Sequence, residues 1–71
     1  MDWARIQADW PHFSVLARLR WGRISAADFD IIAGRRDLLA AHIQQTYGIS
    51  PGAAQMQLES WQGQQRAPDA A

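Results

Sequence analysis

The sequence predicts a small all-α protein, and three observations support this fold class. Apolar residues recur with the period of a helix, no segment alternates apolar and polar residues as a strand does, and glycine or proline separates the periodic segments. The chain has 71 residues, which is enough for one domain. We expect a compact domain of four short helices, packed as two hairpins that cross at a steep angle and preceded by a short helical turn.

The first nine residues are predicted to form an N-terminal extension that contains at most a short helix. Trp3, Ile6 and Trp10 lie at i, i+3 and i+7, which places them on one face of a helix. The segment is short and terminal, so its ends are expected to fray. Trp10 precedes Pro11, and the residue before a proline disfavours helical geometry.

The next helix is predicted to run from Pro11 to Trp21 and to stop at Gly22. Proline is favoured as the first residue of a helix, and glycine is common just after the last. One stripe of this helix is expected to face the core, and it consists of Trp10, Phe13, Ala17 and Trp21. Beside it lies a second apolar set, namely Val15, Leu16 and Leu19. That set either widens the buried face or forms an exposed patch, which usually marks an interface.

Capping and stop signals predict three further helices. The first begins at Ser25 and ends near Gly34. The second runs from about Arg35 or Arg36 to Tyr47, and the third begins at Ser50 and Pro51. Their apolar residues at helical spacing are Phe29, Ile32, Leu39, Ile43, Tyr47, Ala54, Leu58 and Trp61. Residues 10–62 therefore form the predicted helical domain, and residues 63–71 form a tail without apolar periodicity that we expect to be disordered.

The composition narrows the classes of function. Cysteine is absent, so no disulfide or thiolate metal site can form, and two histidines cannot complete a zinc site alone. All seven basic residues are arginine and are balanced by seven acidic residues, which argues against strong nonspecific binding of nucleic acid. No cofactor is predicted. No secretory signal or membrane-length apolar run is visible, so we expect a cytoplasmic protein without a membrane segment.

The ionisable residues do not form a catalytic pattern. His12 and His42 lack an evident nucleophile and orienting partner, and both are expected at the surface or its boundary. Asp28 and Asp30 are two residues apart and do not face each other on a helix, while Asp37 is expected to pair with an arginine or to cap locally. We therefore expect that the protein is not an enzyme.

Arginines and tryptophans suggest an alternative role in nucleic-acid binding. Five arginines near the glycine turns could converge to contact phosphate. The zero net charge instead favours a surface on which these arginines are solvated and balanced by the acidic residues. These arginines are Arg18, Arg20, Arg23, Arg35 and Arg36. The tryptophans could stack on bases, but the helical spacing of Trp10, Trp21 and Trp61 favours a place in the core; Trp3 is less determined.

Several motifs resemble those of the CsbD-like bacterial stress-response family. Residues 21–25 resemble the turn of this family that reads tryptophan, glycine, basic, aliphatic, hydroxyl. Residues 32–38 resemble its glycine–basic–arginine–aspartate element. Residues 43–49 resemble the isoleucine–glutamine and tyrosine–glycine pairs that close its third helix. Single positions that also match are Trp10, Phe13 and Trp61. The resemblance covers residues 10–61.

This resemblance implies a four-helix domain of the sterile-alpha-motif-like type and induction under general stress, but no reaction. Family members are typically rich in lysine and glutamate in the first helix, whereas here Val15, Leu16 and Leu19 dilute that hydrated surface. We therefore expect a small stress-associated protein that acts through contact with a protein partner or with itself. The alternative is weak association with nucleic acid through an arginine patch.

Overall fold

The computed structural model describes residues 1–66 and contains five helices in this range. They are α1 (Trp3–Ala8), α2 (Trp10–Arg20), α3 (Ala26–Ile32), α4 (Arg36–Tyr47) and α5 (Pro51–Gln64). Residues 1–66 include no strand. The predicted all-α class is confirmed, and the expected N-terminal turn is a helix of six residues, which brings the number to five. The finer arrangement, two orthogonal hairpins of the sterile-alpha-motif type, stays a prediction.

Serine caps begin two of the helices as predicted. The hydroxyl of Ser25 accepts a hydrogen bond from the backbone N–H of Asp28 at 3.1 Å, and the hydroxyl of Ser50 accepts one from the N–H of Ala53 at the same distance. Each bond satisfies one of the N–H groups that the first helical turn leaves without a partner. Pro51 is the first residue of α5, where its missing N–H is no loss.

Left-handed residues end α3 and α4. Gly48 follows α4 with a φ of 64°, and α3 ends one residue earlier than its glycine, with Ala33 at 50° and Gly34 at 80°. A methyl group on Gly34 would stand 2.8 Å from Cγ and 3.1 Å from Cα of Gln7 in α1. Gly34 is therefore required both for its backbone conformation and for the close approach of α1.

The core is a single cluster of apolar side chains from all five helices. The predicted stripe of α2 is buried, which confirms it, and the spaced positions of α3, α4 and α5 are buried except for the half-buried Tyr47. The members are Ile6, Trp10, Phe13, Ala17, Trp21, Ile24, Phe29, Ile32, Leu39, Ala40, Ile43, Ala54, Leu58 and Trp61. Consecutive helices contact one another, and α4 and α5 do so most extensively.

Three indole N–H groups join parts of the chain that are 19 to 36 residues apart in sequence. Trp3 donates to the carbonyl of Gly34 at 2.8 Å, Trp10 donates to the carbonyl of Phe29 at 3.1 Å, and Trp21 donates to the side-chain oxygen of Gln57 at 2.9 Å. A large aromatic can be buried at little polar cost when its N–H has such a partner. Trp10 and Trp21 are buried in the core, as their spacing predicts, and Trp3 is half-buried against it.

The two ends of the chain show how the predicted boundaries compare with the structure. Ile6 of α1 is fully buried, so the predicted N-terminal extension packs on the other helices. The side-chain amide of Gln62 in α5 donates to the carbonyl of Met1 at 2.9 Å. Helix α5 continues to Gln64, two residues into the segment 63–71 predicted as a tail. Residues 67–71 of that segment lie outside the described residues.

Candidate interaction surface

Helix α2 carries apolar side chains on two opposite sides. Phe13 and Ala17 are buried in the core, whereas Val15 is 55% exposed and Leu19 is 80% exposed. Val15 and Leu19 are four residues apart, so they are neighbours on the side of the helix that faces away from the core. Leu16 is half-buried and packs against the core. The structure therefore places two members of the predicted set in solvent and the third at the core boundary.

A shallow groove adjoins the two exposed side chains. It lies where the solvent-facing side of α2 meets the turn that leads into α3, and it has a volume of about 400 Å³. Its lining residues are Val15, Arg18, Leu19, Gly22, Ile24, Ser25 and Ala26. Ile24 is buried, so the groove reaches down to the core between the two helices. We call this groove with its two exposed apolar residues the α2 surface.

The α2 side of this groove is basic although the chain as a whole is neutral. No aspartate or glutamate occurs from Trp10 to Ala27, while this stretch contains His12, Arg18, Arg20 and Arg23. Arg18 lines the groove itself. A partner for this surface would therefore combine apolar side chains with carboxylates.

Two of the predicted phosphate-contact arginines near this surface lie against aromatic rings. The guanidinium of Arg20 is 5.4 Å from the ring centroid of Trp21, and that of Arg23 is 5.4 Å from the ring centroid of Tyr47. The backbone N–H of Arg23 also donates to the hydroxyl of Tyr47 at 3.2 Å. Cation–π contact leaves these guanidiniums exposed but restricts where they point.

The other two arginines, Arg35 and Arg36, lie at the start of α4. Arg36 is 6.0 Å from the ring centroid of Trp3, and its guanidinium donates to the side-chain oxygen of Gln55. Tyr47, which contacts Arg23, is the last residue of α4; at 1.5 Å per residue the two ends of this helix are about 16 Å apart. Arg23 and Arg36 thus lie near opposite ends of α4.

The residues considered for catalysis are spread over α2, α3 and α4, and none of them lines the groove. His12 is exposed and its ring makes an edge contact with Phe13, with centroids 4.9 Å apart, and His42 is half-buried on α4. Asp28 lies in the first turn of α3, where the helix dipole favours a carboxylate. Within residues 1–66 no three histidine, aspartate or glutamate side chains are grouped so that they could hold a metal ion.

Sequence reasoning missed an exposed apolar position on α3. Ile31 is 66% exposed, and Ala27, one turn earlier on the same side, is exposed as well. On an α-helix at 100° per residue, Asp28 and Asp30 lie on either side of this pair. The helical period of α3 could have revealed it, because Ile31 lies about 160° around the helix from the buried Phe29. We call these four residues the α3 ridge.

A second depression, of about 550 Å³, lies where α1, α4 and α5 meet, and no sequence signal indicated it. Its lining is about equally polar and apolar and includes Trp3, Arg36 and Glu59. The polar groups at its edge are largely bonded to one another, through the Arg36–Gln55 hydrogen bond and the bond from Gln62 to Met1. It could not be predicted because it joins segments that are far apart in sequence.

Within residues 1–66 none of the helices has both the length and the apolar composition needed to span a bilayer.

No family model and no solved structure matches the chain. Curated relatives do match over most of its length. A UPF0337 protein of Rhodopseudomonas palustris is 33% identical over 61 residues, which cover 86% of this chain and 92% of the relative.

Two further relatives agree with this result. A UPF0337 protein of Pectobacterium atrosepticum is 31% identical over 62 residues, covering 87% of this chain and 90% of the relative. The UPF0337 protein YjbJ of Escherichia coli O6:H1 is 33% identical over 54 residues, covering 76% of this chain and 78% of the relative. Identity at this level over most of both chains shows that the protein is a member of the UPF0337 family, the family of CsbD-like proteins.

Proposed function

We propose that this protein acts by binding another protein chain through the α2 surface, as a stress-associated interaction protein without catalytic activity. The observation that carries the proposal is the exposure of Val15 and Leu19 side by side at the edge of a groove. Single exposed apolar residues are common on soluble proteins, but contiguous ones beside a concave surface are typical of binding sites.

The core does not require these two side chains. Phe13 and Ala17 fill the inner side of α2 and are almost completely buried, and Trp21 continues the same stripe. Val15 and Leu19 add apolar area on the outer side, where it gives little stability because water still covers most of it. A role in binding explains apolar residues at positions where folding would tolerate polar ones.

The positions of the two histidines support a non-catalytic role. A general acid or base needs a partner group and a pocket that holds the reacting atoms. Neither His12 nor His42 lines either of the two depressions described above. The stress association rests on the motifs that resemble CsbD-like proteins, and we propose the bacterial cytoplasm as the compartment in which binding occurs.

Site-specific photocrosslinking in cells tests this function. A photoreactive phenylalanine analogue at position 15 or 19 should give a defined crosslinked protein product, because both positions lie in the proposed interface. The same analogue at Gln45, an exposed residue of α4, serves as the matched control and should give none. Arg18→Glu should reduce the product formed from position 15. Products of equal yield from position 45, or none from 15 and 19 under stress and in unstressed cells, would refute the proposal.

The alternative, contact with nucleic acid, is favoured by one observation. Arg18, Arg20 and Arg23 lie within six residues, in a stretch that contains no acidic residue. An amide NMR titration with a short DNA duplex tests it at low and at physiological salt. Shifts confined to residues 18–23 that weaken with salt would support phosphate contact, since such binding depends on counterion release. A spectrum unchanged at both salt concentrations would leave protein contact as the function.

A further inference from the structure

We propose that the chain bound at the α2 surface is a second copy of this protein, which inserts its α3 ridge into the groove. This inference rests on the proposed function and names its partner. The ridge has Ile31, 66% exposed, at its centre and Asp28 and Asp30 at its sides. It is thus the kind of segment that the α2 surface would bind, and it is part of the same chain.

Shape and charge are complementary between the two elements. The α2 surface is concave, apolar at Val15 and Leu19, and basic at Arg18. The α3 ridge is convex, apolar at Ile31, and acidic on both sides. Helix α2 contains two arginines and no acidic residue, whereas α3 contains two aspartates and no basic residue. Contact between them would pair opposite charges around an apolar centre, which is the arrangement that selects a partner and an orientation.

A ridge cannot enter the groove of its own chain. Ala26, the first residue of α3, lines the groove, and Ile31 is five residues further along the same helix. Five residues correspond to a rotation of about 140° and a rise of about 7.5 Å. Ile31 therefore points away from the groove that its own helix borders, and only the ridge of another molecule can fill it.

Contact between two α2 surfaces is the competing arrangement, and charge disfavours it. A symmetric interface brings the same residues of both copies together. A symmetric interface centred on Val15 and Leu19 would place the Arg18 side chains of both molecules close together. Helix α2 has no carboxylate that could lie between them. Like charges facing each other across an interface oppose association. The α2-to-α3 contact avoids this repulsion.

The proposed contact is heterologous, because the two molecules contribute different surfaces. Each copy has one groove and one ridge. Two copies can therefore form a closed dimer in which each ridge fills the groove of the other molecule, or they can begin an open-ended assembly. A groove of about 400 Å³ and one short helix make a small interface. Small interfaces are weak, so association should depend strongly on protein concentration. It should also decrease as salt rises, because the charges at the rim are exposed.

Analytical ultracentrifugation of the full chain, with two interface variants and their mixture, tests the proposal. Leu19→Asp places a carboxylate in the groove, and Ile31→Lys places a cation on the ridge. Wild-type protein should show an average mass that rises above 8.0 kDa as concentration increases from about 20 µM to about 1 mM. Each variant alone should stay at 8.0 kDa over that range.

The equimolar mixture of the two variants is the decisive sample. It contains intact grooves on the Ile31→Lys chains and intact ridges on the Leu19→Asp chains, so association should return in the mixture. Met56→Lys is the matched control: Met56 is 72% exposed on α5, outside both elements, and this variant should associate as the wild type does. Far-UV circular dichroism of each variant should match the wild type, since all three positions are exposed.

Each other outcome overturns the proposal in a distinct way. Wild-type protein that stays at 8.0 kDa excludes a second copy as the partner. The proposed function would then still be supported by crosslinks from positions 15 and 19 to a different protein. Association that Leu19→Asp abolishes, but that the mixture does not restore, indicates contact between two α2 surfaces. Association that survives in Leu19→Asp excludes the α2 surface from self-contact.

Discussion

The two sides of α2 are both apolar, yet only one of them can contribute much to folding. Trp10, Phe13 and Ala17 are at most 8% exposed, whereas Val15 and Leu19 are more than half exposed on the other side. Burial of apolar area stabilises a fold, and exposed apolar area does not. The comparison teaches that apolar composition alone does not distinguish residues kept for stability from residues available for binding. Substitutions on the two sides should separate these roles.

Phe13→Ala on the buried side should have the largest effect. Removing a core phenylalanine typically lowers the free energy of unfolding by about 3–5 kcal/mol, because a cavity remains. A 71-residue domain is expected to have only about 4–10 kcal/mol in total. Urea denaturation followed by circular dichroism should show that at least about a third of the free energy of unfolding is lost. Val15→Ala, on the exposed side of the same helix, should change it by less than about 0.5 kcal/mol. Similar losses in both variants would contradict the comparison.

Gly34→Ala should have the next largest effect. The added methyl group would be 3.1 Å from Cα of Gln7, and alanine would have to adopt a φ of 80°. Strain of the backbone and crowding against α1 together should lower the free energy of unfolding by about 2–3 kcal/mol. Thermal or urea unfolding measures this change.

Gly63→Ala is the control for that substitution. Gly63 lies in α5, and no atom is within 4 Å of the position that its Cβ would take. Alanine there should leave stability unchanged or raise it by up to about 1 kcal/mol. A loss at Gly63 equal to that at Gly34 would show that contact with Gln7 is not the cause.

Local signals in the sequence were sufficient to predict most helix boundaries. Ser25, Ser50 and Pro51 mark helix starts through hydrogen bonds and backbone geometry that depend only on neighbouring residues. The buried stripe of α2 followed from its period alone. These features are local, so a single sequence contains the information that specifies them.

Contacts between distant segments could not be predicted in this way. Helix α1 lies close to Gly34, and the indole N–H of Trp3 donates to the Gly34 carbonyl. This contact depends on how α1 packs against a turn about 30 residues later in the sequence. The exposure of Leu19 likewise became clear only once the buried side of α2 was known. The five arginines lay close to glycine turns in the sequence, but the length of α4 separates Arg36 from Arg23 in space.

The serine caps provide a prediction of intermediate size. Ser25→Ala removes the oxygen that accepts the Asp28 N–H, and Ser50→Ala does the same for Ala53. Each substitution should lower the free energy of unfolding by about 1 kcal/mol, measured by urea denaturation. Ser60→Ala is the control, since Ser60 is exposed inside α5, where alanine is the better helix former. If Ser60→Ala lowered the free energy of unfolding as much as Ser25→Ala and Ser50→Ala do, the loss at Ser25 and Ser50 would not be due to the capping hydrogen bonds.

Leu19→Ser should have the smallest effect on stability and a large effect on binding. Leu19 is 80% exposed, so its substitution by serine should change the free energy of unfolding by less than about 0.5 kcal/mol. Loss of its side chain removes apolar area from the rim of the groove, and crosslinking from position 15 should fall sharply. Urea denaturation and crosslinking yield, measured on the same variant, give the two results. Leu16→Ser should show the reverse balance, because Leu16 packs against the core and does not line the groove. If Leu19→Ser instead destabilised the protein as much as Leu16→Ser, the outer side of α2 would be part of the folding core, and its apolar residues would not need a partner to explain them.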